Sequence, residues 1–191
     1  MTAVAETDGG RHIVIAAPKT AAGMTIGDSI AVNGACLTAV TVDHGGRVEV
    51  DVVAETLERS NLGDLAPGDT VDLERPMATD GRFDGHFVQG HVDGVGRIAQ
   101  LAEEGDARRL RVAIPSALAR YVVEKGSITI DGASLTVTAV APDGATPWCE
   151  IVLIPHTLEV TVLGRKGVGD TVNIEVDVIA KYVERLMGAA T

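Results

Sequence analysis

The sequence predicts an all-β protein built as two homologous small antiparallel barrels followed by one C-terminal helix. Three observations carry that prediction. Aromatic residues are only 3% of the 191 residues, so the core must come from Val, Ile, Leu and Ala, of which the β-branched pair favours strands. The apolar runs are short, rich in Val, Ile and Thr, and punctuated by Gly, Asp and Pro, the pattern of strands joined by turns. Above all, the chain repeats itself.

SIAVNGACLT at 29–38 returns as SITIDGASLT at 127–136, with six of ten residues identical. TLERSNLG at 56–63 returns as TLEVTVLG at 157–164, and GDTVDLE at 68–74 as GDTVNIE at 169–175. The first block is displaced by 98 residues and the other two by 101; the extra three fall in the loop APDGATP, where an insertion is tolerated at the surface. The repeat divides the chain into a first barrel over 1–84, a second over 85–176 and a helical tail over 177–191.

Strands are expected in the first half near 11–17, 28–33, 35–42, 47–54 and 69–75. The second half predicts 87–99, 109–114, 127–131, 134–141, 149–154 and 171–176. Short helical pieces are expected at 60–65 and 116–124. At the end of the chain Val178, Ile179, Tyr182, Val183 and Leu186 recur at helical spacing, with Lys181, Glu184 and Arg185 elsewhere, so this helix has an apolar stripe that needs a partner surface. The strand counts are five against six. Projecting the strand at 87–99 back by 97 residues, the step from Pro115 to Pro18, places its counterpart almost entirely before Met1, so the first barrel is expected to lack its opening strand.

Sixteen Lys and Arg against 27 Asp and Glu leave a net charge of −11, a field that repels phosphate backbones and acidic membrane surfaces. Neither nucleic acid nor a membrane is an expected partner. MTAVAETDGG lacks the features of a signal peptide, and no apolar run approaches the ~18 residues of a span, so a cytoplasmic location is expected. Two cysteines, Cys36 and Cys149, are too few for a disulfide framework. The spacing GHxxxGH of His86 and His91 has no third ligand nearby, so no metal site is expected; a polar role at the junction of the barrels suits these histidines better. Cys149 has no motif around it and is assigned to the core.

The two repeats differ at chemically telling positions. Asn33 is replaced by Asp131 and Cys36 by Ser134. Asn-Gly and Asp-Gly are ordinary hairpin turns in any β protein, but recurrence of the whole xGxC/SLT block points to a site. A neutral amide and a carboxylate cannot do the same proton work, so the two sites are expected to play different roles.

At VNGACLT, GHFVQGHVDG, IDGASLT and IPHTLEVTVLG the chain resembles the riboflavin synthase family, from about residue 11 to residue 187. The resemblance implies two six-stranded Greek-key barrels, a C-terminal helix joining three chains into a homotrimer, and lumazine synthase as a candidate partner. It implies dismutation of two molecules of 6,7-dimethyl-8-ribityllumazine by transfer of a four-carbon unit, giving riboflavin and 5-amino-6-ribitylamino-uracil without metal or cofactor. In that family each barrel holds one lumazine, and the N-barrel of one chain faces the C-barrel of its neighbour. The family opens with an MFTGIVEE-like strand that this sequence does not contain.

By the same resemblance Cys36, Leu37, Thr38, Asp51, Glu55 and Thr56 line the first pocket, and Ser134, Leu135, Thr136 and the run Ile154, Pro155, His156, Thr157, Leu158 and Glu159 line the second. Gly90, His91 and Val92 at the junction of the barrels, and Lys125 near the reaction centre, are further substrate-binding candidates. Cys36, His91, Lys125, Asp131, Ser134 and Asp177 are the candidates for catalysis, which needs a proton removed from the acidified methyl on carbon seven of one lumazine and a nucleophile added at that carbon of the other. The alternative is a non-catalytic lumazine or flavin carrier of the same fold. A flavin-reductase-like barrel would leave the second copy unexplained.

Overall fold

The computed structural model describes residues 1–142 and 145–188, and its two halves repeat one strand order. The first half contains β1 (Ala3–Thr7), β2 (Gly10–Ala16), β3 (Ser29–Val32), β4 (Ala35–Val42), β5 (Arg47–Val53) and β6 (Leu73–Glu74). They form an antiparallel sheet in the order β1-β2-β5-β4-β3-β6. The second half contains β7 (Gly94–Glu104), β8 (Ala107–Ala113), β9 (Ser127–Ile130), β10 (Ala133–Val140), β11 (Trp148–Leu153) and β12 (Thr171–Val176). Their order is the same, β7-β8-β11-β10-β9-β12, and β12 pairs back onto β7 to close a barrel. In the first half the seam between β6 and β1 is unpaired as strands. Among the described residues it is bridged where the Met1 amino group donates to the Asp69 carbonyl at 2.6 Å and the Gly68 amide to the Met1 carbonyl at 3.3 Å.

Three strand expectations are corrected, one being that the run at 69–75 shrinks to the two residues of β6, Leu73–Glu74. The first half does have a strand ahead of 11–17: β1 pairs with β2 from Ala3 opposite Val14 to Thr7 opposite Gly10. Periodicity missed it because an edge strand with little buried on either face carries no alternation, and here only Val4 is even half-buried. The run expected as a strand at 87–99 begins instead at Gly94 and continues to Glu104. Residues 87–93 are irregular; the amides of Gln89 and Gly90 turn to the Glu175 side chain rather than to a ladder.

Each half has its own core. Ile13, Ile15, Ile30, Val48, Val50, Val52 and Leu62 fill the first, and Leu110, Val112, Ile128, Cys149, Ile151, Leu153 and Leu163 take the corresponding places in the second. Cys149 stands where the first repeat has Val48 and is fully buried, as its core assignment required; burial pushes its thiol up to about 12, so it is inert.

β3 and β4, and likewise β9 and β10, are joined by two-residue turns, Asn33-Gly34 and Asp131-Gly132, between the paired residues Val32 and Ala35 and Ile130 and Ala133. Asn33 (φ 44°), Gly34 (φ 78°), Asp131 (φ 47°) and Gly132 (φ 89°) are all left-handed, the requirement of a type I′ hairpin.

After β5 and β11 the chain turns into one short helix each, α1 (Ala54–Arg59) and α2 (Pro155–Val160), followed by 3-10 turns at Asn61–Asp64 and Val162–Gly164. The expected helical piece at 116–124 is reduced to a 3-10 turn, Ala119–Tyr121. The final helix, α3 (Val178–Gly188), is docked by its polar residues: Lys181 Nζ pairs with Asp93 at 2.6 Å, Glu184 with Arg120 at 2.6 Å, and Tyr121 donates to Glu184. Ile179, Tyr182, Val183 and Leu186 are turned away and exposed. Among the described residues no helix is long and apolar enough to cross a membrane.

Candidate functional site

Strand alternation builds the same face twice. On β4 the side chains of Ala35, Leu37 and Ala39 enter the core while Cys36 and Thr38 stand exposed; on β10 Ser134 and Thr136 occupy the equivalent outer positions. Leu37 and Leu135 therefore offer only backbone to anything bound on this face, since Leu37 is buried in the first core and Leu135 packs on the second.

The segment 75–93 joins the halves and lies across both faces. The Cys36 amide donates to the Gly90 carbonyl at 2.8 Å. The Glu175 carboxylate of β12 accepts from the amides of Gln89 at 2.7 Å and Gly90 at 2.9 Å. Gly90 has φ 76°, and a β-carbon there would lie 2.7 Å from that of Cys36, so glycine is needed for both conformation and space. On the second face His86 is buried between two hydroxyls, with Nδ1 2.8 Å from Ser134 Oγ and Nε2 3.1 Å from Thr129 Oγ1. A cleft of about 1200 Å³ runs between the halves and is lined by Cys36, Gly90, Ser134 and His86 together, with Phe87 at its side. Phe87 stacks on Phe83 with 4.6 Å between ring centroids.

At the floor of this cleft the two hairpin turns meet in a buried polar cluster with near two-fold symmetry. Asn33 Oδ1 accepts from the Asp72 amide at 2.8 Å, and Asp131 Oδ1 accepts from the Asn173 amide at 2.8 Å. Asp72 in turn accepts from the Val162 amide at 3.0 Å, while Asn173 Oδ1 accepts from the Asn61 amide at 2.7 Å. Each half thus closes the first turn of the other half's 3-10 element, and each contains one amide and one carboxylate in exchanged places. The symmetry breaks at Lys166, whose Nζ lies 2.5 Å from Asp131 and 2.7 Å from the Thr171 carbonyl. Burial raises the carboxyl of Asp131, opposed by the Lys166 charge. Asp72 is raised to about 6, chiefly by burial, with the Val162 amide pulling the other way.

The remaining sequence candidates scatter around these features. Asp131 is buried with its carboxylate committed to Lys166 and Asn173. Asp177 accepts from the Ile179 amide at 2.9 Å and so caps α3. Lys125 is exposed with φ 63° in the turn before β9. His91 is exposed and Val92 packs on the first core; the two histidines of GHFVQGH thus have different surroundings. Asp51 holds His12 Nδ1 at 2.7 Å, and Glu55 pairs with Arg59 at 2.9 Å. Thr56 accepts from Ser60 Oγ through its carbonyl. Ile154, Pro155, His156 and Glu159 are exposed along α2, with Thr157 and Leu158 half-buried.

Sequence reasoning gave His86 only a general polar role and passed over Thr129, Glu175, Asp72, Asn173 and Lys166. A signal for two of them was present: GDTVDLE and GDTVNIE exchange Asp72 for Asn173 in the sense opposite to Asn33 and Asp131.

The chain matches the lumazine binding domain family over residues 1–76 and again over 89–177. It is 52% identical to a riboflavin synthase of Mycobacterium tuberculosis over 94% of this chain and 89% of that one. It is 46% identical to that of Bacillus subtilis over 86% and 74%. The fold of LumP complexed with riboflavin superposes with a TM-score of 0.82 over 92% of both chains at 24% identity. Duplicated barrels, duplicated outer faces and these sequence relationships agree: the chain belongs to the riboflavin synthase family, with two lumazine-binding domains.

Proposed function

We propose that the chain is a riboflavin synthase, a transferase that dismutates two 6,7-dimethyl-8-ribityllumazine molecules into riboflavin and 5-amino-6-ribitylamino-uracil by four-carbon transfer. The observation that carries this reading is the paired face: Cys36 and Thr38 on β4 and Ser134 and Thr136 on β10 repeat one outer surface, as a reaction between two copies of one molecule requires. Two such surfaces supply the same recognition twice and let the reacting carbons be held face to face. The relatives named riboflavin synthase at up to 52% identity support turnover over mere carriage.

Within that reading, the Ser134 hydroxyl hydrogen-bonded to the His86 imidazole is suited to receive the proton leaving the methyl on carbon seven, because Thr129 fixes the far ring nitrogen. Cys36, Lys125 and His91 remain candidates for the steps at the other lumazine, and Asp131 and Asp177 act by holding backbone in place. The reading includes a homotrimer joined through α3, a cytoplasmic location and lumazine synthase as a candidate partner; exposure of Ile179, Tyr182 and Leu186 supports the first of these.

The test is to incubate the protein with the lumazine alone and follow riboflavin absorbance. Riboflavin formation without any added cofactor is expected. Lumazine binding with no riboflavin formed would overturn the enzyme in favour of a carrier.

A further inference from the structure

We propose that Arg11 and Arg108 are positioning residues for the two pockets, each clamping the helix and 3-10 turn that wall its own barrel's site; the proposal rests on the riboflavin synthase reading of those pockets. Arg108 stands on β8 opposite Leu153, the last residue of β11, beside the point where the chain enters α2. From there its Nη1 donates to the Gly164 carbonyl at 3.1 Å, at the far end of the 3-10 turn that follows α2, and its Nε donates to Glu103 at 2.8 Å. Arg11 stands on β2 opposite Val52, one residue before the end of β5, with Nη1 on the Gly63 carbonyl and Nε 2.7 Å from Glu6.

The two trios are one device present twice. Glu6 and Arg11 lie 97 residues before Glu103 and Arg108, and Gly63 lies 101 before Gly164, the same displacements that relate the repeats. The trio is unchanged between the halves although Asn33, Cys36 and Asp72 all differ from their counterparts. Both arginine side chains are largely covered, 22% and 24% exposed, whereas an arginine kept only for solubility would be free.

The geometry requires a guanidinium. The carbonyl closing a helical turn has no partner within the turn, and a planar fork can meet that carbonyl with one nitrogen while another is oriented by a carboxylate. The element so held has no slack. It begins at the end of β11, Leu163 is fully buried, Leu158 packs on the core, and a β-carbon on Gly164 would come within 1.9 Å of the Leu158 carbonyl oxygen. Holding Gly164 therefore holds Thr157, Leu158 and Glu159. Releasing it loosens chiefly the second pocket, whose wall α2 and this turn form; Arg11 does the converse through Gly63 for Glu55 and Thr56.

The test reads affinity barrel by barrel, from the amide NMR shifts of Thr38 and Thr136 during riboflavin titration. In Arg108→Met, affinity reported at Thr136 should fall about tenfold, the worth of one charged hydrogen bond, while that at Thr38 stays within about twofold; Arg11→Met should reverse the pattern. Arg108→Lys should not rescue, because a single nitrogen cannot stand at the two separate positions from which Nε meets Glu103 and Nη1 meets Gly164. A merely structural role would lower the melting temperature of these variants and leave both affinities alone, which would overturn the proposal, as would equal loss at both threonines or full rescue by lysine. Should Arg108→Met fail to fold, Glu103→Gln provides the same reading: a smaller loss confined to Thr136 supports the clamp, and none overturns it. Wild-type protein showing no shift at either threonine would instead refute the lumazine pockets themselves.

Discussion

Gly34 and Gly132 stand back to back where the two halves meet: a β-carbon on Gly34 would lie 2.5 Å from the Gly132 amide nitrogen and 2.8 Å from its α-carbon. Both neighbours are backbone, which cannot rotate out of the way, and both glycines are left-handed. Gly34→Ala should therefore cost about 2 kcal/mol or more through combined strain and overpacking. A urea denaturation midpoint equal to that of the parent protein would refute this contact.

Asp72 predicts a pH effect of definite sign. Burial raises its carboxyl from 3.8 to about 6, so the folded chain binds that proton more tightly than the unfolded chain. The group's contribution is most favourable below about pH 3.8 and fades as the pH rises through about 6. Asp72→Asn, which copies what Asn173 already does in the other half, should fold, keep an acceptor for the Val162 amide, and remove that decline. The measurement is the difference in urea midpoint between the two proteins from pH 4 to pH 7; it should grow in the variant's favour as pH rises. A constant difference would contradict it.

The exposed residues of α3 predict assembly. Ile179→Asp with Leu186→Asp should yield monomers in sedimentation while α3 stays docked, because Lys181 and Glu184 hold the opposite face. Burying such a stripe is worth about 25 cal/mol per Å², too much to leave in water. An unchanged sedimentation coefficient would show that the chains associate elsewhere or do not associate.

Ser134→Ala should lower riboflavin formation about a hundredfold, in the range of general acid–base effects, with lumazine still bound. His86→Ala should do the same and add nothing to Ser134→Ala, since the two act as one unit through the 2.8 Å contact. Additive losses would mean that they serve separate steps.

Much of this was readable in the residues. Doubling at 29–38 and 127–136 announced two barrels, and recurrence of VNGACLT as IDGASLT marked Cys36 and Ser134 as equivalent positions of a repeated site. Other features escaped for physical reasons. β1 half-buries Val4 alone and so shows no period. The helices α1 and α2 each have only six residues, too few for a helical repeat to stand out from the strand before them. His86 finds Ser134 and Thr129 from 48 and 43 residues away, and Lys166 has no counterpart charge in the first repeat, where Leu65 stands. Partnerships of that kind are set by the crossing of 75–93 over two surfaces, which no local pattern encodes.

The seam between β6 and β1 gives the two halves different mechanical characters. In a cylinder of hydrogen-bonded strands every ladder has a neighbour on both sides, so no pairing can unzip without breaking two. The first half has two free selvages, β1 and the two-residue β6, from which fraying can travel inward one strand at a time. One polypeptide thus carries a ring and a ribbon of the same weave, and amide protons along β1 and β6 will trade with solvent long before their counterparts on β7 and β12, each half serving as the other's internal standard.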